Sequence, residues 1–109
     1  MTWLLRDGDV LAAAEVADTF GQRARGLLGH NGYEGAMLLP RTRSVHTIGM
    51  RFPIDVAFCD KDMVVLDVVR LRPWRFCRPR RRGRSVIEAQ AGAFERWGLR
   101  IGDTVELRG

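Results

Sequence analysis

Val45-His46-Thr47-Ile48-Gly49-Met50-Arg51-Phe52-Pro53-Ile54-Asp55-Val56-Ala57-Phe58-Cys59 is the stretch that decides the fold. Ile48, Met50, Phe52, Ile54, Val56 and Phe58 fall on even positions, the period of a half-buried strand. The odd positions carry Thr47, Arg51 and Asp55, so one face reads as apolar and the other as chemically equipped. An unbroken strand of this length runs roughly 40 Å at about 3.3 Å per residue. A domain of this size has a radius of gyration of about 13 Å, so the stretch has to bend. Gly49 and Pro53 mark the place, and Thr47, Arg51 and Asp55 are expected near it.

Working outward, Asp60-Lys61-Asp62 is a tight polar turn between apolar runs, so Ile54–Cys59 and Met63–Val69 should pair as a hairpin. Met63-Val64-Val65-Leu66 lacks alternation, which predicts a strand buried on both faces at the centre of a sheet. Ser85–Ala89 reads as a strand, and Ala91–Trp97 as about two helical turns stopped by Gly98. Thr104–Leu107 is a closing strand. Upstream, Trp3-Leu4-Leu5 and Val10–Ala17 flank an Asp7-Gly8 hairpin signal. Thr19 with Gln22 forms a capping box for a helix that Phe20, Ala24, Leu27 and Leu28 make amphipathic, ending at Gly29 or Gly32. His30 follows it in a loop and reads as surface. Ala36–Leu39 is a short strand closed by Pro40. These elements predict one domain over residues 1–109, mainly β and antiparallel or mixed. It would be a sandwich or barrel-like, with one or two short helices packed on it.

The net charge of +5 is local. Eight arginines and no acid lie between Arg70 and Arg84, and the rest of the chain is slightly acidic. Seventeen arginines stand against the single Lys61, which lowers the weight of any one arginine. No secretory signal and no apolar run of membrane-spanning length is visible, so the chain reads as soluble and cytoplasmic. Cys59 and Cys77 then read as free thiols. Two cysteines and two histidines without a close ligand pair argue against a metal, and no cofactor is expected.

Ala17-Asp18-Thr19 with Arg23-x-Arg25-Gly26-Leu27-Leu28-Gly29 resembles the opening signature of a bacterial and archaeal family, domain of unknown function 192. So do Gly35-x-Met37-Leu38, the His46–Phe58 block and the tail Ala91-Gly92 followed by Gly98-Leu99-x-Ile101-Gly102-Asp103. The resemblance runs from about Val16 to Val105. Where many members carry an aromatic, methionine, lysine and asparagine, this chain has Ile48-Gly49-Met50-Arg51, as in a histidine-containing branch. In Val86-Ile87-Glu88-Ala89-Gln90, Glu88 matches the acid of a Leu-Glu-Leu-like pattern, with Ala89 as a reduced follower. The resemblance implies a mainly β fold with a short helix, and no activity.

The candidate pocket gathers His46, Thr47, Met50, Arg51, Asp55 and Glu88. Asp55, between Ile54 and Val56, is read first as a structural acid bonding backbone amides or an arginine at the bend. His46 is read first as a hydrogen-bonded structural histidine. Two carboxylates would bind a cation or move protons only if Asp55 and Glu88 converge. Arg72, Arg75, Arg78, Arg80, Arg81, Arg82 and Arg84 are the anion-binding candidates, with Trp74 and Phe76 able to stack on bases. The bland alternative, a solvated loop with both aromatics tucked into the core, is preferred. Three functions follow. The first is a binding or accessory module for a small molecule or protein, using the polar pocket. The second is a nucleic-acid or polyanion binder using the 70–84 loop, not the favoured partner class. The third is a hydrolase-type enzyme on His46, Thr47 and Asp55. A monomer or weak homodimer is expected, away from membranes.

Overall fold

The computed structural model describes residues 2–17 and 35–109. The helix expected from Thr19 and the surface position of His30 lie outside the described residues. Among the described residues there are nine strands: β1 (Thr2–Arg6), β2 (Asp9–Val16), β3 (Ala36–Pro40), β4 (Val45–His46), β5 (Ile54–Cys59), β6 (Val65–Leu71), β7 (Phe76–Cys77), β8 (Ser85–Gln90) and β9 (Val105–Arg108). One short helix, α1 (Ala93–Trp97), follows β8. Seven strands form one sheet in the order β6-β5-β8-β3-β2-β1-β9, and β4 pairs with β7 as a separate two-stranded ribbon. The β2–β3 pair is parallel.

Local chemistry explains the well-formed joints. Asp7 and Gly8 both take positive φ, 53° and 82°, as a two-residue turn matched to strand twist requires. β5 and β6 pair antiparallel around the Asp60-Lys61-Asp62 turn, where the Asp60 carboxylate accepts the Asp62 and Val64 amides at 2.8 and 3.0 Å. α1 stops at Gly98, whose φ of 66° suits a residue without a Cβ. Arg6 then covers that helix end. Its guanidinium donates to the carbonyls of Gly98 (2.7 Å) and Trp97 (2.8 Å) and pairs with Asp103 at 3.1 Å.

The sheet curls until its two edge strands meet at one end. Val64 bridges Thr104, the Val65 amide donates to the Asp103 carbonyl at 2.8 Å, and the Val105 amide donates to the Met63 carbonyl at 3.0 Å. One apolar cluster takes residues from all seven strands, including Leu4, Ala14, Leu38, Ala57, Val65, Ile87 and Val105, so it fills the inside of the curl. Ala93 and Phe94 of α1 and Leu99 beyond it plug this interior. A second cluster on the other face joins Met37, Leu39, Ile54, Val56, Phe58 and Val86 to Val45, Met50 and Phe52 of the bend. The architecture is thus a half-barrel, the barrel-like form of the expected mainly β fold.

Three expectations need correction. β5 is buried on both faces, so the odd positions are not a solvated side: Asp55 is 3% exposed, and Ala57 and Cys59 are 0%. β6 is an edge strand rather than a central one, and β5 and β8 hold interior places. The unalternating run at Met63–Leu66 falls where Met63, Val64 and Val65 seal the junction with Val105, Thr104 and Asp103. The 70–84 segment is only partly a loop, since Arg70 and Leu71 end β6 and Phe76-Cys77 form β7.

Candidate functional site

The bend predicted at Gly49 and Pro53 is real, with Gly49 at φ 83°, and it splits the organising stretch into β4 and β5. Its polar residues go to different places. Asp55 belongs to the interior face of β5, in register with Ala89 of β8 and Arg70 of β6. One carboxylate oxygen accepts the amides of Gly92 (2.9 Å) and Phe94 (3.2 Å), and the other accepts the Arg70 Nε at 3.0 Å. Gly92, the N-cap residue of α1, has no side chain for that task, so a strand carboxylate caps the helix from across the core. The same carboxylate holds the Arg70 guanidinium more firmly protonated than usual, through hydrogen bond and charge.

Glu88 is buried at 4% exposure and stands in register with Val56 and Met37. Neighbours directly opposite in a sheet share a face, so Glu88 lies on the exterior face and Asp55 on the interior one. The two carboxylates do not converge. An open cleft of about 420 Å³ borders Asp55, and it is lined by Arg70, Glu95, Phe94 and Val68 rather than by His46 or Thr47.

Thr47 is completely buried. Its hydroxyl donates to the Arg72 carbonyl at 2.6 Å and accepts the Arg75 amide at 2.8 Å. Its own amide donates to the Arg75 carbonyl (2.8 Å), and its carbonyl accepts the amides of Trp74 (2.9 Å) and Met50 (3.1 Å). Thr47 is therefore a latch between the bend and the 72–75 turn. Its hydroxyl is committed to backbone and is a poor nucleophile. Met50 is buried in the exterior cluster, and Arg51 is exposed.

His46 is exposed and sits opposite Phe76 in the β4–β7 ladder, ring centroids 5.9 Å apart. The Ile48 amide donates to its Nδ1 at 3.2 Å, so the neutral ring carries its proton on Nε2. Each member of the supposed His46–Thr47–Asp55 set is thus engaged with partners other than the other two.

The arginine segment divides into anchors and exposed cations. Arg70 is tied to Asp55. Arg80 forks onto Asp67 with contacts of 2.8 and 3.0 Å and lies 4.3 Å over the Phe58 ring. It holds the segment to the sheet edge, aided by Arg43, whose guanidinium donates to the Arg80 and Arg81 carbonyls at 3.5 and 3.3 Å. Arg72, Arg75, Arg78, Arg81, Arg82 and Arg84 are exposed. Trp74 and Phe76 are 64% and 77% exposed, which overturns the expectation that they tuck into the core. Trp74 also sits at φ 64°, a strained conformation for a bulky residue. Among the described residues no cluster of His, Cys, Asp and Glu fits a metal ion, and no helix is long and apolar enough to cross a membrane.

Both cysteines are free thiols. Burial, and secondarily the charge of Asp60, pushes the Cys59 thiol up to about 12, so it stays protonated at neutral pH. Cys77 is half-buried in the ribbon. Iodoacetamide at pH 8 is expected to add one carbamidomethyl group to the native protein, at Cys77. Peptide mass spectrometry showing Cys59 modified at a similar rate would contradict the packing of β5.

Comparison with known proteins agrees with the fold. The chain is 38% identical over 97 residues to a UPF0127 protein of Pyrococcus abyssi, covering 84% of this chain and 83% of that one. Its structure is similar to that of a Novosphingobium aromaticivorans protein of unknown function, with a TM-score of 0.81, 21% identity, and 96% and 82% of the two chains covered. It is also similar to a Sinorhizobium meliloti protein proposed as a transcription regulator, with a TM-score of 0.82, 22% identity, and 96% and 90% covered. The sequence signature and the half-barrel thus point the same way, and the chain belongs to the domain of unknown function 192 (DUF192) family, described as "Uncharacterized ACR", whose model matches residues 3–107.

Proposed function

We propose that the chain is a binding module whose working surface is the β4–β7 ribbon with its exposed arginines, and whose partner is a polyanion of the nucleic-acid type. The observation that carries this reading is the exposure of Trp74 and Phe76 amid Arg72, Arg75 and Arg78. Large aromatic side chains stay out of a core at a cost, and a contiguous exposed apolar and cationic surface marks an interaction site. No acid occurs between Asp67 and Glu88, so every charged side chain of that stretch is positive, which favours an anionic partner. The polar pocket around His46, Thr47, Asp55 and Glu88 is less favoured as a working site, because its two acids occupy opposite faces. The hydrolase reading is less favoured because the Thr47 hydroxyl and both Asp55 oxygens are committed to structural bonds. The Sinorhizobium neighbour, proposed as a transcription regulator, is in keeping with a nucleic-acid partner, although at 22% identity it speaks for the fold alone.

Fluorescence anisotropy with a labelled 20-nucleotide oligo(dT), read from 50 to 200 mM salt, tests the proposal. The logarithm of the binding constant should fall linearly with the logarithm of salt, by about 0.7 for each phosphate neutralised on a single strand. Replacing Arg72, Arg75 and Arg78 together by alanine should lower that slope by about two. Arg80 is left intact because its role on Asp67 and Phe58 is structural. Binding indifferent to salt, or absent at 50 mM, would remove the reading.

A further inference from the structure

We propose that the ribbon is a base-stacking platform, so that its ligand is single-stranded nucleic acid read through exposed bases rather than duplex held by phosphates alone. This rests on the polyanion reading above and narrows it. Three flat rings come from the ribbon and the turn that leads into it: His46 and Phe76 face each other across the β4–β7 ladder, and Trp74 lies two residues before Phe76. The His46 and Phe76 rings are tilted by 53°, which leaves the 77%-exposed Phe76 ring open to a third planar group. Arg72, Arg75 and Arg78 are interleaved with Trp74 and Phe76 along the chain and are exposed, the composition of a surface that pairs phosphate contacts with stacking.

The platform is held in place before any ligand arrives. Thr47 fixes the turn through the Arg72 carbonyl, the Trp74 amide, and both the amide and carbonyl of Arg75. Trp74 is thereby kept at φ 64°, a conformation that a tryptophan leaves unless its surroundings impose it. A backbone already fixed under an aromatic has less freedom to lose on binding, which favours affinity. A duplex hides its base faces in the stack, whereas a single strand offers one to each ring.

Three probes of equal length and label separate the cases: oligo(dT), an abasic deoxyribose-phosphate strand, and a hairpin duplex. Oligo(dT) should bind at least tenfold more tightly than the abasic strand, the gain expected from one or two stacked bases. Trp74→Ala and Phe76→Ala should each weaken oligo(dT) roughly tenfold and leave the abasic strand unchanged, with the salt slope intact. Trp74→Phe should restore most of the loss, since it keeps a stacking face. Both wild-type side chains are exposed, so these variants should fold, and their circular dichroism serves as the control. Equal affinity for oligo(dT) and the abasic strand would overturn stacking while leaving polyanion binding standing. Tighter binding of the duplex would overturn it too. Binding to none of the three would overturn both proposals together.

Discussion

Asp55→Ala is expected to lower the free energy of unfolding by about 3 kcal/mol, because it removes the helix cap, leaving the buried Phe94 amide and the part-buried Gly92 amide without that acceptor. The expectation follows from what surrounds the carboxylate. Its residue is 3% exposed, and its oxygens serve Gly92, Phe94 and Arg70 at once. α1 has five residues, far too few to be stable alone, so its position depends on tertiary contacts. Those contacts are Phe94 and Ala93 in the interior cluster and Asp55 at the helix start, where a carboxylate also meets the positive end of the helix dipole. Alanine removes the acceptor and opens a small polar void beneath the plug.

Asp55→Asn retains one acceptor oxygen and should lose less, about half as much. Arg70 is more than half exposed, so Arg70→Ala should cost clearly less than either. Urea denaturation of the three variants gives the ranking. Hydrogen exchange at the Gly92 and Phe94 amides should accelerate most in Asp55→Ala. A loss under about 1 kcal/mol in that variant, or unchanged protection of those amides, would mean that the capping bonds contribute little.

That ranking also marks how far the sequence could be read. Asp55 as a structural acid bonding amides or an arginine followed from an isolated carboxylate beside a bend. Its actual partners, Gly92 and Phe94, lie 37 and 39 residues away and leave no local trace. The β1–β2 and β5–β6 hairpins were legible because their turns, Asp7-Gly8 and Asp60-Lys61-Asp62, determine pairing over a few residues. The end of α1 was legible in Gly98. β4 and β7 were not, since two-residue strands carry no periodicity and their pairing spans about thirty residues. Likewise the opposite faces of Asp55 and Glu88 depend on the β5–β8 register, Val56 beside Glu88 and Asp55 beside Ala89, which no parity rule within one strand supplies. Trp74 and Phe76 are apolar and so read as core. The Trp74 amide is tied to the Thr47 carbonyl and Phe76 is paired with His46, tertiary contacts that sequence spacing cannot express.

The latch itself provides the second large effect. Thr47→Val keeps the shape of the side chain and removes only its hydroxyl, so the packing around position 47 is preserved while two short hydrogen bonds vanish. The Arg72 carbonyl and Arg75 amide lose that partner in a site with Thr47 at 0% exposure, and unpaired buried groups cost about 1–3 kcal/mol. A loss of roughly 2 kcal/mol in urea unfolding is expected. The consequence for function is more specific than the loss of stability. With the hydroxyl gone, the backbone bonds of Thr47 to Arg75 and Trp74 remain but the two side-chain bonds to the turn do not, and Trp74 has less reason to stay at φ 64°. Oligo(dT) affinity should then drop by several-fold, while Asp55→Ala, which loosens the opposite face, should leave it near wild type under conditions where both variants are folded. If Thr47→Val and Asp55→Ala weaken binding equally, the effect is global destabilisation. If only Thr47→Val does, the buried threonine is a positioning residue for the ribbon, and a hydroxyl that looks like a nucleophile in the sequence acts by holding an aromatic in place.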